Sequence, residues 1–237
     1  MNDTTEPAGQ IPLPFARFER IDFELFQTRL NLDAVASLRQ AAIGDDSRNI
    51  YLWGQSGTGK SHLLQSACTL ATDCGRTVAY VPLARHRELL QDMLSGLAEY
   101  DLVCIDDLNF IQGNESWEQS LFNLFNEMRD RHRPLLFTAD SSPNGIGITM
   151  PDLKSRLTWD LIYHLHPADE GTLIAALQQR ARARMFDLPD DVVEFLVRRV
   201  ARDTHNLFEV LDRLDNASMQ SKKKLTIPFV KSTLGLD

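Results

Sequence analysis

Gly54-Gln55-Ser56-Gly57-Thr58-Gly59-Lys60-Ser61 fits the pattern G-x-x-x-x-G-K-[ST] at every position, and it directly follows the apolar run Ile50-Tyr51-Leu52-Trp53. Strand, glycine-rich loop and helix in that order make a phosphate-binding loop. Its glycines let the backbone curl so that successive N–H groups converge on phosphate oxygens. Lys60 sets a point charge against the β- and γ-phosphates, and the Ser61 hydroxyl can ligate Mg2+. His62 opens a segment of helical composition that runs towards Cys74-Gly75, so a helix N-terminus aims its partial positive charge at the ligand. The expected nucleotide site is therefore Gly54, Gln55, Ser56, Gly57, Thr58, Gly59, Lys60, Ser61 and His62.

Outward from the loop, short apolar runs alternate with helical stretches, the pattern of an α/β fold with a parallel sheet. Strands are expected over 49–53, 77–82, 102–105, 135–138 and 161–165, with helices over 61–72, 85–94 and 117–131. After Pro167 the strands stop. Helical patterns follow over 170–185, 189–203 and 207–220, and a last short helix opens at Pro228. The expected division is a flexible tail over 1–20, a nucleotide-binding α/β domain over 21–167 and a small helical domain over 168–237.

With 237 residues, 43% of them hydrophobic, the chain can bury a sizeable core. A net charge of -8 argues against a broad nucleic-acid footprint, so any DNA contact has to be local or indirect. No apolar run approaches the ~20 residues that span a bilayer. The acidic start Met1-Asn2-Asp3-Thr4-Thr5-Glu6 lacks the basic region of a signal peptide, and a cytoplasmic protein is expected. Cys68, Cys74 and Cys104 show no metal-type spacing and read as small buried hydrophobes.

A second acidic motif narrows the chemistry. Leu102-Val103-Cys104-Ile105-Asp106-Asp107 is an apolar strand ending in two carboxylates. Asp106, at the strand tip, can hold Mg2+ through water, and Asp107 lies where many ATPases carry the carboxylate that orients the attacking water. Asp is one methylene shorter than the commoner Glu, so slow self-hydrolysis is expected and enzyme activity in its own right stays open.

Tyr51-Leu52-Trp53-Gly54 with Ser61-His62-Leu63-Leu64-Gln65, then Ile105-Asp106-Asp107-Leu108-Asn109-Phe110-Ile111-Gln112-Gly113, then Asp152-Leu153-Lys154-Ser155-Arg156-Leu157 together resemble the corresponding blocks of DnaA-type AAA+ initiator ATPases. The resemblance implies an AAA+ core followed by a helical lid. Two departures from the initiator itself stand out. The chain stops soon after the lid, without room for the initiator's C-terminal DNA-binding helices, and it starts with a short tail. That pattern, with the closing Lys224-Leu225-Thr226-Ile227-Pro228-Phe229-Val230-Lys231, resembles the DnaA-related regulators that inactivate the initiator.

Several residues take a role from the resemblance that they lack alone. Gln10-Ile11-Pro12-Leu13-Pro14-Phe15 is by itself a proline-rich leader. Beside an initiator-like ATPase it resembles the peptide that docks on the β sliding clamp of DNA polymerase III, with Gln10, Leu13, Pro14 and Phe15 as contacts. The prolines hold it extended and reduce the ordering entropy lost on binding. Arg156 reads alone as a surface arginine on a short helix; the resemblance puts it at a subunit edge, reaching a neighbour's nucleotide. Asp140 is either a turn residue before Ser141-Ser142-Pro143 or the polar group that senses the γ-phosphate. His205 falls where the family's lid arginine contacts phosphate, or is simply a residue at a helix start. A single imidazole donor in place of a guanidinium fork favours ADP over ATP.

The implied partners are the initiator DnaA and the clamp, with DNA met through the clamp, no membrane, and room for a homo-oligomer. A DnaC-like helicase loader and a transposition-associated DNA-binding ATPase are the alternatives; both want a broad basic surface. Blander expectations cover the rest. Arg180, Arg182 and Arg184 read as a solvated face, Lys222-Lys223-Lys224 as a solvated loop, and His164 with His166 as neighbours on a strand without a third metal ligand. Phe15, Phe18, Phe23 and Phe26 read as core or base-stacking residues.

Overall fold

Five apolar runs become five parallel strands: β1 (Ile50–Trp53), β2 (Val78–Pro82), β3 (Leu102–Asp106), β4 (Leu135–Ala139) and β5 (Leu161–His164), in the sheet order β2-β3-β4-β1-β5. Each strand end lies within one residue of the sequence expectation. The computed structural model describes residue 23 and residues 31–89, 91–183, 185–200, 204–221 and 223–236. The clamp-type peptide, with Gln10, Leu13, Pro14 and Phe15, lies outside the described residues, as do Phe18, Phe26, Arg184 and Lys222.

β3 and β4 are buried along their whole length, because inner strands of a parallel sheet are covered on both faces and so read as continuous apolar runs. The edge strands β2 and β5 alternate instead. Along β1, Ile50 and Leu52 point into one core with Leu38, Leu63, Leu64 and Ala67, while Tyr51 points into the other with Leu121, Leu124 and Phe125. The first core is closed by α1 (Leu32–Ile43) and α2 (Lys60–Asp73), the second by α3 (Glu115–Asp130). Each such leucine or phenylalanine stabilises the sandwich by roughly 1.5–3 kcal/mol. A six-residue helix, α4 (Pro151–Arg156), leads into β5.

The helical segment follows as α5 (Glu170–Ala183), α6 (Asp190–Val200), α7 (Thr204–Ser221) and α8 (Ile227–Leu234). It has cores of its own: Leu177, Val193, Leu207 and Leu211 in one cluster, and Val192, Leu196, Leu214, Leu225 and Val230 in another. α8 opens where Thr226 accepts from the Phe229 N–H and proline occupies the first turn. Among the described residues no helix is long and apolar enough to cross a membrane.

Four expectations need correction. The helix expected over 85–94 is two 3₁₀ segments, Leu83–Glu88 and Gln91–Glu99, because Arg85 leaves helical geometry and Leu89 is extended at φ -104, ψ 144. α1 adds a helix to those expected, its buried Ala34, Leu38, Ala41 and Ala42 forming a helical stripe that ends at Gly44. Cys68 and Cys104 are buried, 3.4 Å apart, but Cys74 is exposed at the end of α2. Arg180 is no solvated residue: its side chain is 13% exposed and pairs with Asp212 at 3.1 Å, across from α5 to α7. Phe23 is a core residue with the Arg39 guanidinium 4.8 Å above its ring.

Candidate functional site

The loop Gly54 to Ser61 leaves the carboxyl end of β1 and turns into α2. Gly54 is required by close approach, since a Cβ there would stand 2.7 Å from the Leu165 carbonyl oxygen and 3.1 Å from Thr58 Oγ1. Gly57 and Gly59 take φ 79 and 86, where other residues are strained. Thr58 is buried and donates to the Gln55 carbonyl at 2.9 Å, tightening the curl. Gly59 begins α2 with no side chain to cover the helix start. The Lys60 ammonium donates to the Gly54 and Gln55 carbonyls at 2.8 and 2.9 Å, so the charge lies over the loop itself. Ser61 and His62 follow in the first turn of α2.

Asp106 stands at the tip of β3, 3% exposed, between two hydroxyls that the sequence did not single out. Tyr80 of β2 donates to its Oδ2 at 2.5 Å, and Thr138 of β4 donates to its Oδ1. The Thr138 oxygen also accepts the Asp107 N–H at 2.8 Å, which fixes Asp107 in a left-handed conformation, φ 60, ψ 53. Burial raises the Tyr80 hydroxyl well above the ordinary phenol range, with the Asp106 charge adding to it, so Tyr80 stays a donor. Burial first, then the charges of Asp106 and Asp140, push the Asp107 carboxyl up to about 6, while Lys60 pulls the other way. Asp140 follows β4 and is exposed, and its Oδ1 accepts from the Ser141 hydroxyl at 2.9 Å.

Asp107 feels the charges of Asp106 and Asp140 as well as that of Lys60, so negative charge gathers where a divalent cation bound with phosphate would offset it. Each Asp106 oxygen keeps a lone pair beyond its hydroxyl partner, and Mg2+ is commonly held by one or two carboxylates with phosphate oxygens completing the sphere. Asp106 and Ser61 fit that duty; the ion would offset charge on the phosphates. Among the described residues no cluster of three His, Cys, Asp or Glu is set to hold a metal alone. His164 stacks on Trp53 at 3.9 Å, with the His166 ring 4.7 Å from it. His205 lies in the first turn of α7, and its side chain falls outside the described residues.

Arg156 is elsewhere. It ends α4, five residues before Leu161, which pairs with Ile50 at the amino end of β1. Lys60 follows the carboxyl end of that strand. The two cations thus sit beyond opposite ends of parallel strands. α4 is held by Glu118, a fully buried carboxylate of α3 that accepts from the N–H groups of Gly113 (2.8 Å), Thr149 (3.0 Å) and Met150 (2.8 Å) and from the Thr149 hydroxyl. Burial alone would raise this carboxyl; those donors outweigh burial and hold it below the ordinary glutamate range. The Arg156 guanidinium lies 3.9 Å over the ring of Trp159, and the Trp159 backbone N–H donates to the Arg156 carbonyl at 3.1 Å.

Residues 23–164 match the bacterial DnaA ATPase domain. The chain belongs to the bacterial DnaA ATPase-domain family. Residues 169–234 match the lid domain of Hda, so the whole is an Hda-like, DnaA-related AAA+ protein with a helical lid. Among solved structures, domain III of the Thermotoga maritima replication initiation protein DnaA superposes with a TM-score of 0.78 at 23% identity, covering 92% of this chain and 96% of that one. AMPPCP-bound DnaA from Aquifex aeolicus gives 0.68 at 20% identity over 85% and 67% of the two chains. The Thermotoga maritima RuvB Holliday junction branch migration motor gives 0.65 at 16% over 91% and 72%. These likenesses carry the AAA+ fold.

Two predictions arise here. Lys60→Ala should weaken ADP at least tenfold, because a charge-assisted contact contributes roughly 1.5–3 kcal/mol. Titration with labelled ADP checks this, and melting curves with ADP, ATP and CDP rank the base; wild-type protein unmoved by millimolar nucleotide would contradict a working loop. The second concerns Asp107, whose folded pKa lies above its unfolded value. Between about pH 4 and 6 the folded state binds the extra proton, so nucleotide-free protein loses stability as pH rises through that window. Asp107→Asn should melt above wild type at pH 7.5, by up to about 3 kcal/mol less some solvent screening, with the gap closing below pH 4. Equal midpoints at pH 7.5 would show that no such proton is held.

Proposed function

We propose that this protein is a nucleotide-dependent regulator of the replication initiator DnaA. It binds adenine nucleotide, ADP in preference to ATP, with Mg2+ through Gly54 to Ser61, His62 and Asp106, with Asp140 and His205 near the terminal phosphate. Gln10, Leu13, Pro14 and Phe15 dock on the β sliding clamp, and DNA is reached through the clamp. Arg156 enters the nucleotide site of DnaA and speeds hydrolysis of the ATP held there, so that the origin is not fired again. Its own hydrolysis, with Asp107 orienting water, is slow.

One observation carries this: Arg156 and Lys60 lie beyond opposite strand ends, so the arginine is out of reach of its own phosphate loop and available to a neighbour's. A guanidinium delivered from outside suits phosphoryl transfer, because charge builds on the γ-phosphate oxygens as the bond breaks and a planar fork meets two of them. The DnaA match at the core and the Hda match at the lid both point to the initiator as the neighbour. Pull-down on immobilised β clamp and on the replicative helicase tests the assignment. Retention by the clamp alone is expected; retention by the helicase alone would favour a loader.

A further inference from the structure

Arg156 shares its indole with a second cation. The Arg129 guanidinium, from the last turn of α3, lies 4.3 Å over the same Trp159 ring. Trp159 is 46% exposed; its ring stands edge-on to the buried Phe125 at 6.4 Å, and its backbone N–H donates to the Arg156 carbonyl. The Phe122 ring, 5.8 Å from the Arg156 guanidinium, flanks it. Among the described residues neither Arg129 nor Arg156 has a carboxylate partner, although the chain carries a net charge of -8 and Arg48, Arg85, Arg131, Arg133, Arg180 and Arg198 all do. Two like charges gathered at one ring repel, and the indole offsets only part of that. A polyanion would offset the rest.

We infer that Trp159 is a stacking platform that presents Arg129 and Arg156 together as one two-guanidinium site for the phosphate chain of a nucleotide held by a neighbouring molecule. Arg156 meets the terminal phosphate. Arg129 supplies a second charge, and Trp159 is a positioning residue that keeps both guanidinium planes from wandering into solvent. The inference rests on the trans-acting arginine proposed above and adds to it a second cation and the side chain that orients both. α3 and α4 come together to form the site, and the buried Glu118 that ties them sets its spacing.

A titration without any partner tests the paired site. The full chain, saturated with Mg-ADP so that the phosphate loop is filled, is titrated at low salt with sodium tripolyphosphate while tryptophan emission is followed. A saturable change is expected, with its midpoint raised at least about fivefold by Arg129→Ala and likewise by Arg156→Ala. A wild-type midpoint in Arg129→Ala, or no response in wild type, overturns the paired site. Rates on ATP-loaded initiator test the platform: Arg129→Ala should lower the maximal rate about tenfold with an unchanged half-saturating concentration. Trp159→Ala should lower the rate similarly, and Trp159→Phe, which keeps a ring face, should restore most of it. Equal rates for those two variants would overturn the platform. If wild-type protein fails to speed hydrolysis at all, the trans-acting arginine falls, while the tripolyphosphate titration still decides whether the two guanidiniums form one site.

Discussion

Arg156→Ala is expected to lower stimulated hydrolysis of initiator-bound ATP by about 10³-fold or more, the range in which trans-acting arginines work. ADP binding and clamp attachment should be unchanged, because the residue stands beyond the strand end opposite the phosphate loop and belongs to a different part of the chain from the tail. The substitution leaves no buried donor unsatisfied. It removes a stacked guanidinium at a partly buried position, a loss of roughly 0.5–1 kcal/mol, so the variant should fold. Labelled ATP on the initiator, with the clamp loaded on DNA, reads the rate; binding of labelled ADP to the variant reads the control. Full stimulation would exclude the finger. Loss of the variant's own ADP binding would show that Arg156 serves its own site instead.

Leu13→Ala combined with Phe15→Ala should cost about 4 kcal/mol of clamp binding, roughly a thousandfold in affinity, since each apolar anchor contributes about 2 kcal/mol in its pocket. Pro12 and Pro14 are left in place, so the peptide keeps its extended bias and only the anchors are lost. Surface plasmon resonance on immobilised clamp measures the affinity, and the melting temperature of the double variant, expected at the wild-type value, separates lost docking from lost folding. Unchanged affinity would remove the clamp from the mechanism.

Much of this architecture could be read along the chain because its signals are local. A glycine-rich loop between an apolar strand and a helix, and a buried strand ending in carboxylates, announce themselves within about ten residues each. What escaped is what only the register of the sheet brings together. Thr138 looks like an ordinary strand residue. Yet the pairing of Ile105 with Phe137 sets it beside Asp106, where its one hydroxyl serves both acidic residues. Tyr80 is two residues short of the end of β2 and meets Asp106 only because β2 runs alongside β3. Glu118 reads as a favourable charge in the first turn of a helix, while its donors come from Gly113 and from Thr149 and Met150. Trp159 has no motif at all; its meaning lies in the two guanidiniums stacked over it. The broken helix around Leu89 escaped for the opposite reason, since local composition favoured a continuous helix that the backbone does not keep.

The central claim is that this chain turns over a neighbour's ATP. The most direct measurement loads the initiator DnaA with labelled ATP and follows its conversion to ADP in four mixtures: initiator alone, with this protein and ADP, with clamp-loaded DNA, and with both. Rapid conversion is predicted only in the last mixture, with the label staying on the initiator as ADP. Conversion no faster in the complete mixture than with the initiator alone would contradict the account.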